Sequence, residues 1–104
     1  EILHNFGTIR QLHFTVDVSY KTDLNQALAI VREIVESHSH VLKDPQAVIG
    51  VSRLGQPAIT MAVEPWTKVV HYGSLQGELS KAIVERFRAA QIEFPSPPQP
   101  VPVR

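Results

Sequence analysis

Two histidines, His38 and His40, are the residues whose type and spacing most suggest chemistry in this 104-residue sequence. Neutral imidazole is a common ligand for zinc, which takes four tetrahedral donors. Residues two apart on a helix point to different sides, so this pair converges only if the helix has already ended. The chain has no cysteine, and no Asp or Glu stands at ligand spacing nearby. The expectation is therefore two exposed histidines at a helix end, where positive charge would suit the negative terminus of the helix dipole. No metal is expected there.

The remaining candidates fare no better as chemistry. His13 and Asp17 share the polar face of a strand, but four strand steps separate them by roughly 13 Å, too far for a dyad. No Gly-x-Ser-x-Gly elbow marks a serine nucleophile. The five glycines form no phosphate loop. Gly73 and Gly77 have the spacing of a membrane-helix packing motif, but their neighbours are polar. Neither a catalytic group nor a cofactor site is expected, and the chain does not read as an enzyme. Trp66 and Tyr72 stand in a strand-to-helix connection. They read as core or subunit-interface anchors in preference to the walls of a ligand groove.

The elements that must position these residues follow from periodicity. Leu12, Phe14, Val16, Val18 and Tyr20 alternate with His13, Thr15, Asp17 and Ser19, which predicts a strand with one buried face. Asp23 is a helix cap, and Gln26 three residues on completes a capping-box arrangement. Leu24, Leu28, Val31 and Val35 make the apolar stripe of a helix running to about His38 or His40. Asp44-Pro45 stops it. Ala47, Ile49 and Val51 begin a second strand, and Ile59, Met61 and Val63 a third. Leu54-Gly55-Gln56-Pro57 turns between them, so the pair reads as a hairpin. Pro65 marks the third strand as bulged or at an edge. Ser74 is the expected cap of a second helix carrying Leu75, Leu79, Ile83 and Phe87. Ile92 and Phe94 would make a last short strand. The order β-α-β-β-α-β predicts an α+β, ferredoxin-like two-layer sandwich, with two helices on one face of a mostly antiparallel sheet.

Composition bounds the function. The hydrophobic fraction of 43% suits one modest core. Ten basic residues balance ten acidic ones, which gives no footprint for nucleic acid and little attraction to an anionic membrane surface. No apolar run approaches the ~20 residues that span a bilayer. The chain opens on Glu1 rather than Met, and both ends read as cut edges of a longer protein. Five of the eight prolines fall in Pro95–Arg104, which predicts an extended, stiff tail.

Five blocks, in order, carry a resemblance. They are His4-Asn5-Phe6; Val16-Asp17-Val18-Ser19-Tyr20-Lys21-Thr22-Asp23; Val41-Leu42-Lys43-Asp44-Pro45; Val51-Ser52-Arg53-Leu54-Gly55; and Phe94-Pro95 followed by Pro98-Gln99. Together they resemble the C-terminal cytoplasmic region of the small-conductance mechanosensitive channel (MscS) family. The resemblance implies an inner-membrane channel of a bacterium that opens under tension and releases ions and solutes on osmotic downshock. It implies a homoheptamer anchored by transmembrane helices, with this domain on the cytoplasmic side as the wall of a hollow cage. By the same likeness residues 1–8 end a middle β domain and residues 9–94 form the cage wall. Residues 95–104 lead into a barrel strand, in which Val101 and Val103 alternate. Gln91 stands where the family usually has a helix-terminating glycine, so a different cap is expected. Ser96, Pro100 and Pro102 also depart from the family's pattern. The competing expectation from another class is a small-molecule-binding regulatory domain of ferredoxin-like fold.

Overall fold

The alternating stretch forms a strand over Phe14–Ser19 only, and a short strand that the alternation did not predict precedes it. The computed structural model describes residues 8–55 and 58–95. Strand β1 is Ile9–Gln11 and β2 is Phe14–Ser19. Leu12, Phe14, Val16 and Val18 are buried, while His13, Thr15 and Asp17 face solvent. Tyr20 falls just past the strand and is exposed, and its hydroxyl donates to the Gly55 carbonyl at 2.7 Å.

Strands β3 (Val48–Leu54) and β4 (Ala58–Glu64) make the expected antiparallel hairpin. β4 is the centre of a three-stranded sheet in the order β2-β4-β3. Beyond Pro65 the chain continues as β5 (Trp66–Lys68), which pairs with β1 in a second, two-stranded sheet.

The register shows what Pro65 does. Gln11 pairs with Trp66 in one sheet and Phe14 with Val63 in the other. One step along each chain carries the first pair to Leu12 and Pro65, the next to His13 and Glu64, and the next to Phe14 and Val63, with no slip. The two ladders are therefore one antiparallel ribbon. Proline has no N–H to give to a ladder, but the Pro65 carbonyl still accepts from the Leu12 N–H at 2.8 Å. Beside it, His13 Nδ1 lies 3.2 Å from Glu64 Oε2. Of the two alternatives for Pro65, a bulge or an edge, the bulge is not found; Pro65 divides one ribbon between two sheets and leads into a strand of the two-stranded one. The register shift occurs instead in β3, between Val51 and Arg53.

Helix α1 spans Leu24–Ser37, and Asp23 Oδ1 accepts from the Gln26 N–H at 3.2 Å. The Asp23 half of the expected capping box is present, but the helix stops at Ser37, with His38 in extended backbone as its C-cap. Helix α2 spans Val69–Ala89, so it starts more than a turn before Ser74, and Lys68 is its N-cap residue without a side-chain bond. The early start is possible because β5 runs straight into the helix. The Val69 N–H, otherwise an orphan of the first turn, donates to the Thr8 carbonyl at 2.8 Å. Ala27, Ile30, Val31, Ile34 and Val35 of α1, Leu75, Leu79, Ile83 and Phe87 of α2, and the inward residues of β2 and β4 form a single core.

The end of α2 corrects two expectations. Gln91 adopts φ 60°, the left-handed conformation that favours glycine. The Gln91 N–H donates to the Arg88 carbonyl, and the Ile92 N–H reaches back to Phe87 at 2.8 Å. With Ile92 and Phe87 both buried, this is the paired-bond Schellman cap with its apolar contact. The glycine-type cap is thus kept without the glycine. Ile92–Phe94 then forms no strand. Ile92 instead closes the core, and the Phe94 ring packs 5.5 Å from that of Phe87, while Pro95 removes the next ladder donor. The fold is α+β, two helices with antiparallel sheets, and no strand among the described residues pairs with the outer edge of β2.

Because a left-handed non-glycine residue is strained by about 1–2 kcal/mol, Gln91→Gly should stabilise the domain. The gain is expected to be about 1 kcal/mol after the added flexibility of the unfolded chain. Thermal unfolding would read it as a Tm rise of roughly 4–8 °C.

Candidate functional site

The segment after α1 is tied to β5 by backbone chemistry. The Leu42 N–H donates to the Trp66 carbonyl at 2.8 Å, and Val41 makes an isolated antiparallel bridge with Thr67. Thr67 is a fully buried polar residue, and its hydroxyl donates to the His40 carbonyl at 2.6 Å. Its burial is therefore compensated, as buried polar groups require.

This tether converts the two histidines from an expected exposed loop into a partly buried corner. The helix has ended before them, so their side chains converge, with ring centroids 5.3 Å apart. His38 Nε2 lies 2.8 Å from Glu78 Oε1. His38 Nδ1 accepts from the His40 N–H at 3.0 Å, which leaves the His38 proton on Nε2, facing the carboxylate. The His40 ring stacks on that of His71 at 3.5 Å and an interplanar angle of 5°. Its Nδ1 is buried without a hydrogen-bond partner. His71 and Glu78 both come from α2. Nothing local in the sequence points to them, because helix packing brings them to a segment 40 residues away in the case of Glu78.

The other polar candidates disperse. His13 faces Glu64, and Asp17 Oδ1 accepts from the Thr60 hydroxyl at 2.8 Å. They form no dyad.

Trp66 is half-buried on the ribbon opposite Gln11. Tyr72 lies on the first turns of α2, with the Arg10 guanidinium 5.6 Å above its ring. The opposite side of this helix presents an uncovered surface. Val70 is 78% exposed, and Val70, Gly73 and Gly77 recur at steps of three and four, hence on one face. A Cβ placed at Gly73 or Gly77 would meet nothing within 4 Å. Glycine costs a helix interior about 1 kcal/mol relative to alanine, and among the described residues nothing packs closely enough at either position to call for it.

A second uncovered surface lies on β3. Ile49 pairs with Val63, Val51 with Met61 and, past the bulge, Leu54 with Ile59. All three partners are buried, so Val51 and Leu54 share the core-side face although they are three apart. Leu54 is nevertheless 71% exposed and Val51 42%, which leaves an apolar shelf at the end of the strand. Under the 41–47 loop is a hollow of about 240 Å³ lined by Val35, Val41, Leu42 and Ala47 among others. It is smaller than the ~300–1,000 Å³ usual for ligand pockets. Val101 and Val103 lie outside the described residues.

Thr67→Val keeps the shape of the side chain and removes its bond to His40. A loss of about 1–2 kcal/mol is expected, together with faster hydrogen exchange at the Val41 and Leu42 amides, measurable residue by residue by NMR.

With this geometry in hand, comparison with known proteins gives a consistent result. A family model described as "Mechanosensitive ion channel MscS, C-terminal" matches residues 12–94. An MscS family protein of Archaeoglobus fulgidus is 28% identical over 88 residues, covering 85% of this chain and 31% of the relative. One from Synechocystis is 25% identical over 92 residues, covering 88% and 31%. The chain thus spans about a third of the length of these curated relatives. The crystal structure of Helicobacter pylori MscS in its closed state superposes with a TM-score of 0.83 at 18% identity, over 96% of this chain and 40% of that one. A cryo-EM structure of Arabidopsis thaliana MSL1 gives 0.72 at 11% identity, over 86% and 35%. These two likenesses speak for the fold. No helix among the described residues is long and apolar enough to cross a membrane.

Proposed function

Since the chain belongs to the MscS family of mechanosensitive channels, as its C-terminal domain, we propose that it is the cage-wall and assembly module of a tension-gated channel. The observation that carries this is the match over residues 12–94, which takes in the whole folded core. The family is one of channel domains rather than enzymes. In the proposal the complete protein is a homoheptamer in a bacterial inner membrane, held there by transmembrane helices, with this domain on the cytoplasmic side. Ions and small solutes pass through it when membrane tension rises, as on osmotic downshock. Residues 1–8 would end a preceding β domain, residues 9–94 form the cage wall, and residues 95–104 lead through Val101 and Val103 toward a shared barrel.

The two uncovered surfaces support assembly. A module whose neighbours are copies of itself has a use for the Val70–Gly73–Gly77 face and the Val51–Leu54 shelf, because apolar area left open in one copy can be buried by the next. Helix glycines without an internal role suit close approach by another backbone.

Reconstituted into liposomes, the complete gene product should give currents activated by suction in patch-clamp recording and run as a heptamer by native mass spectrometry. A membrane-inserted protein that stays silent under tension up to patch rupture would refute the channel reading, and another stoichiometry would refute the heptamer. Val70→Asp and Leu54→Asp should each weaken assembly by about tenfold or more, near 1.4 kcal/mol. Neither should change the circular dichroism of the isolated chain, since both side chains are largely exposed. Gly73→Ala and Gly77→Ala should stabilise the isolated chain by up to about 1 kcal/mol each.

A further inference from the structure

We propose that the corner between the end of α1 and the first half of α2 binds a zinc-type divalent cation, with His38, His40 and Glu78 as ligands and His71 positioning His40. One ring nitrogen of each histidine and one carboxylate oxygen of Glu78 all lie within 4.8 Å of one another. Ligand atoms at the ~2.0–2.2 Å bond lengths of tetrahedral zinc stand about 3.3 Å apart. The His38–Glu78 pair, at 2.8 Å, need open by only about 0.5 Å, and the two move toward the His40 nitrogen, which lies within 4.8 Å of both.

The donor set selects the class of ion. Two imidazoles and one carboxylate suit zinc and its first-row neighbours. Calcium takes six to eight oxygens and magnesium an octahedral, mostly oxygen shell, so neither is served here. Three protein donors leave one position for water, and the Glu78 side chain is half exposed, which gives the ion a way in.

The supports are those of a built site. The backbone of His40 is held by its carbonyl, which accepts from the Thr67 hydroxyl. A metal lies in the plane of the imidazole it binds, so the parallel ring of His71, stacked at 3.5 Å, cannot share the ion with His40. What it does is fix the plane in which the His40 lone pair points. The buried, unpartnered Nδ1 of His40 is an independent sign, because such orphaned atoms are rare in folded proteins and an ion or water is a usual explanation.

Ligation changes one hydrogen bond in a predictable way. A cation at His38 Nε2 takes the place of the proton now facing Glu78. That proton is then carried on Nδ1, which can no longer accept from the His40 N–H. The His40 amide is therefore the reporter of binding.

The test titrates ZnCl2 into the 104-residue chain by calorimetry, in parallel with ¹H–¹⁵N spectra. One equivalent of zinc should bind with micromolar or tighter affinity and shift the His40 amide, while CaCl2 and MgCl2 give no heat and no shift. Glu78→Gln, at an exposed position where the fold is safe, should weaken zinc binding by about tenfold or more. His40→Ala should abolish it. His71→Ala should weaken it, and His71→Phe, which restores the stack, should recover it. The double variant His4→Ala/His13→Ala should bind as the parent does. No zinc binding by the parent would overturn the proposal. So would binding unchanged in Glu78→Gln and His40→Ala, or binding lost in the His4/His13 variant.

Discussion

One antiparallel ribbon, held in a single register across two sheets, is the constraint on which the rest of the molecule depends. Paired residues on β1–β2 and β4–β5 stay in step through the Leu12–His13 and Glu64–Pro65 interruption. That register sets Val16 and Val18 opposite Met61 and Ile59 on the buried side. A slip of one residue would turn the whole set to solvent. The same ribbon ends where α2 begins, so it fixes the phase at which Leu75, Leu79, Ile83 and Phe87 meet the core. Through Thr67 it also fixes the segment that carries His38 and His40.

Local signals in the sequence were strong where one residue's environment depended on its near neighbours. The alternation from Leu12 to Val18, the four-residue spacing of Leu75 to Phe87, the Asp23 cap and the hairpin around Gly55 all appear in the structure as read. Tyr20, by contrast, continues the alternation in the sequence but not in the strand. The misses share a physical cause. Whether Pro65 bulges a strand or divides a ribbon depends on what lies across from it, and the partner is Leu12, far away in the chain. The early start of α2 rests on a carbonyl from Thr8. Gln91 holds a left-handed conformation that its own propensity disfavours, because the buried Phe87–Ile92 contact overrides it. Trp66 and Tyr72 stood out by residue type, but their surroundings did not, since Arg10 and Gln11 reach them only through strand pairing. The histidine corner was least legible of all. Spacing along one helix argued against convergence, and the carboxylate that completes the cluster sits on the other helix.

Stability and interaction are divided between different parts of the surface. The ion pairs Arg86–Glu33 between the two helices and Lys81–Glu85 along one of them are exposed and contribute little, about 0–1 kcal/mol each. The single apolar core therefore carries the fold. The bare face of α2 and the shelf on β3 are not needed by that core, which frees them for contacts with other chains. The corner of His38, His40, His71 and Glu78 is a third kind of surface, polar and convergent, where α1, β5 and α2 meet.

The bulge in β3 has a consequence for how copies of this chain can meet. An open strand edge is a template on which another strand can build, and crowded copies with flat edges are prone to fuse into fibres. Past Ser52 the backbone donors and acceptors of β3 fall out of phase with those before it, so a straight intruding strand could match only one half of the edge. The side chains of Val51 and Leu54, meanwhile, are brought onto a common face by the same irregularity. The edge thus resists main-chain templating while offering side-chain contact, the combination a protein needs if many copies are to stand shoulder to shoulder without their sheets running together.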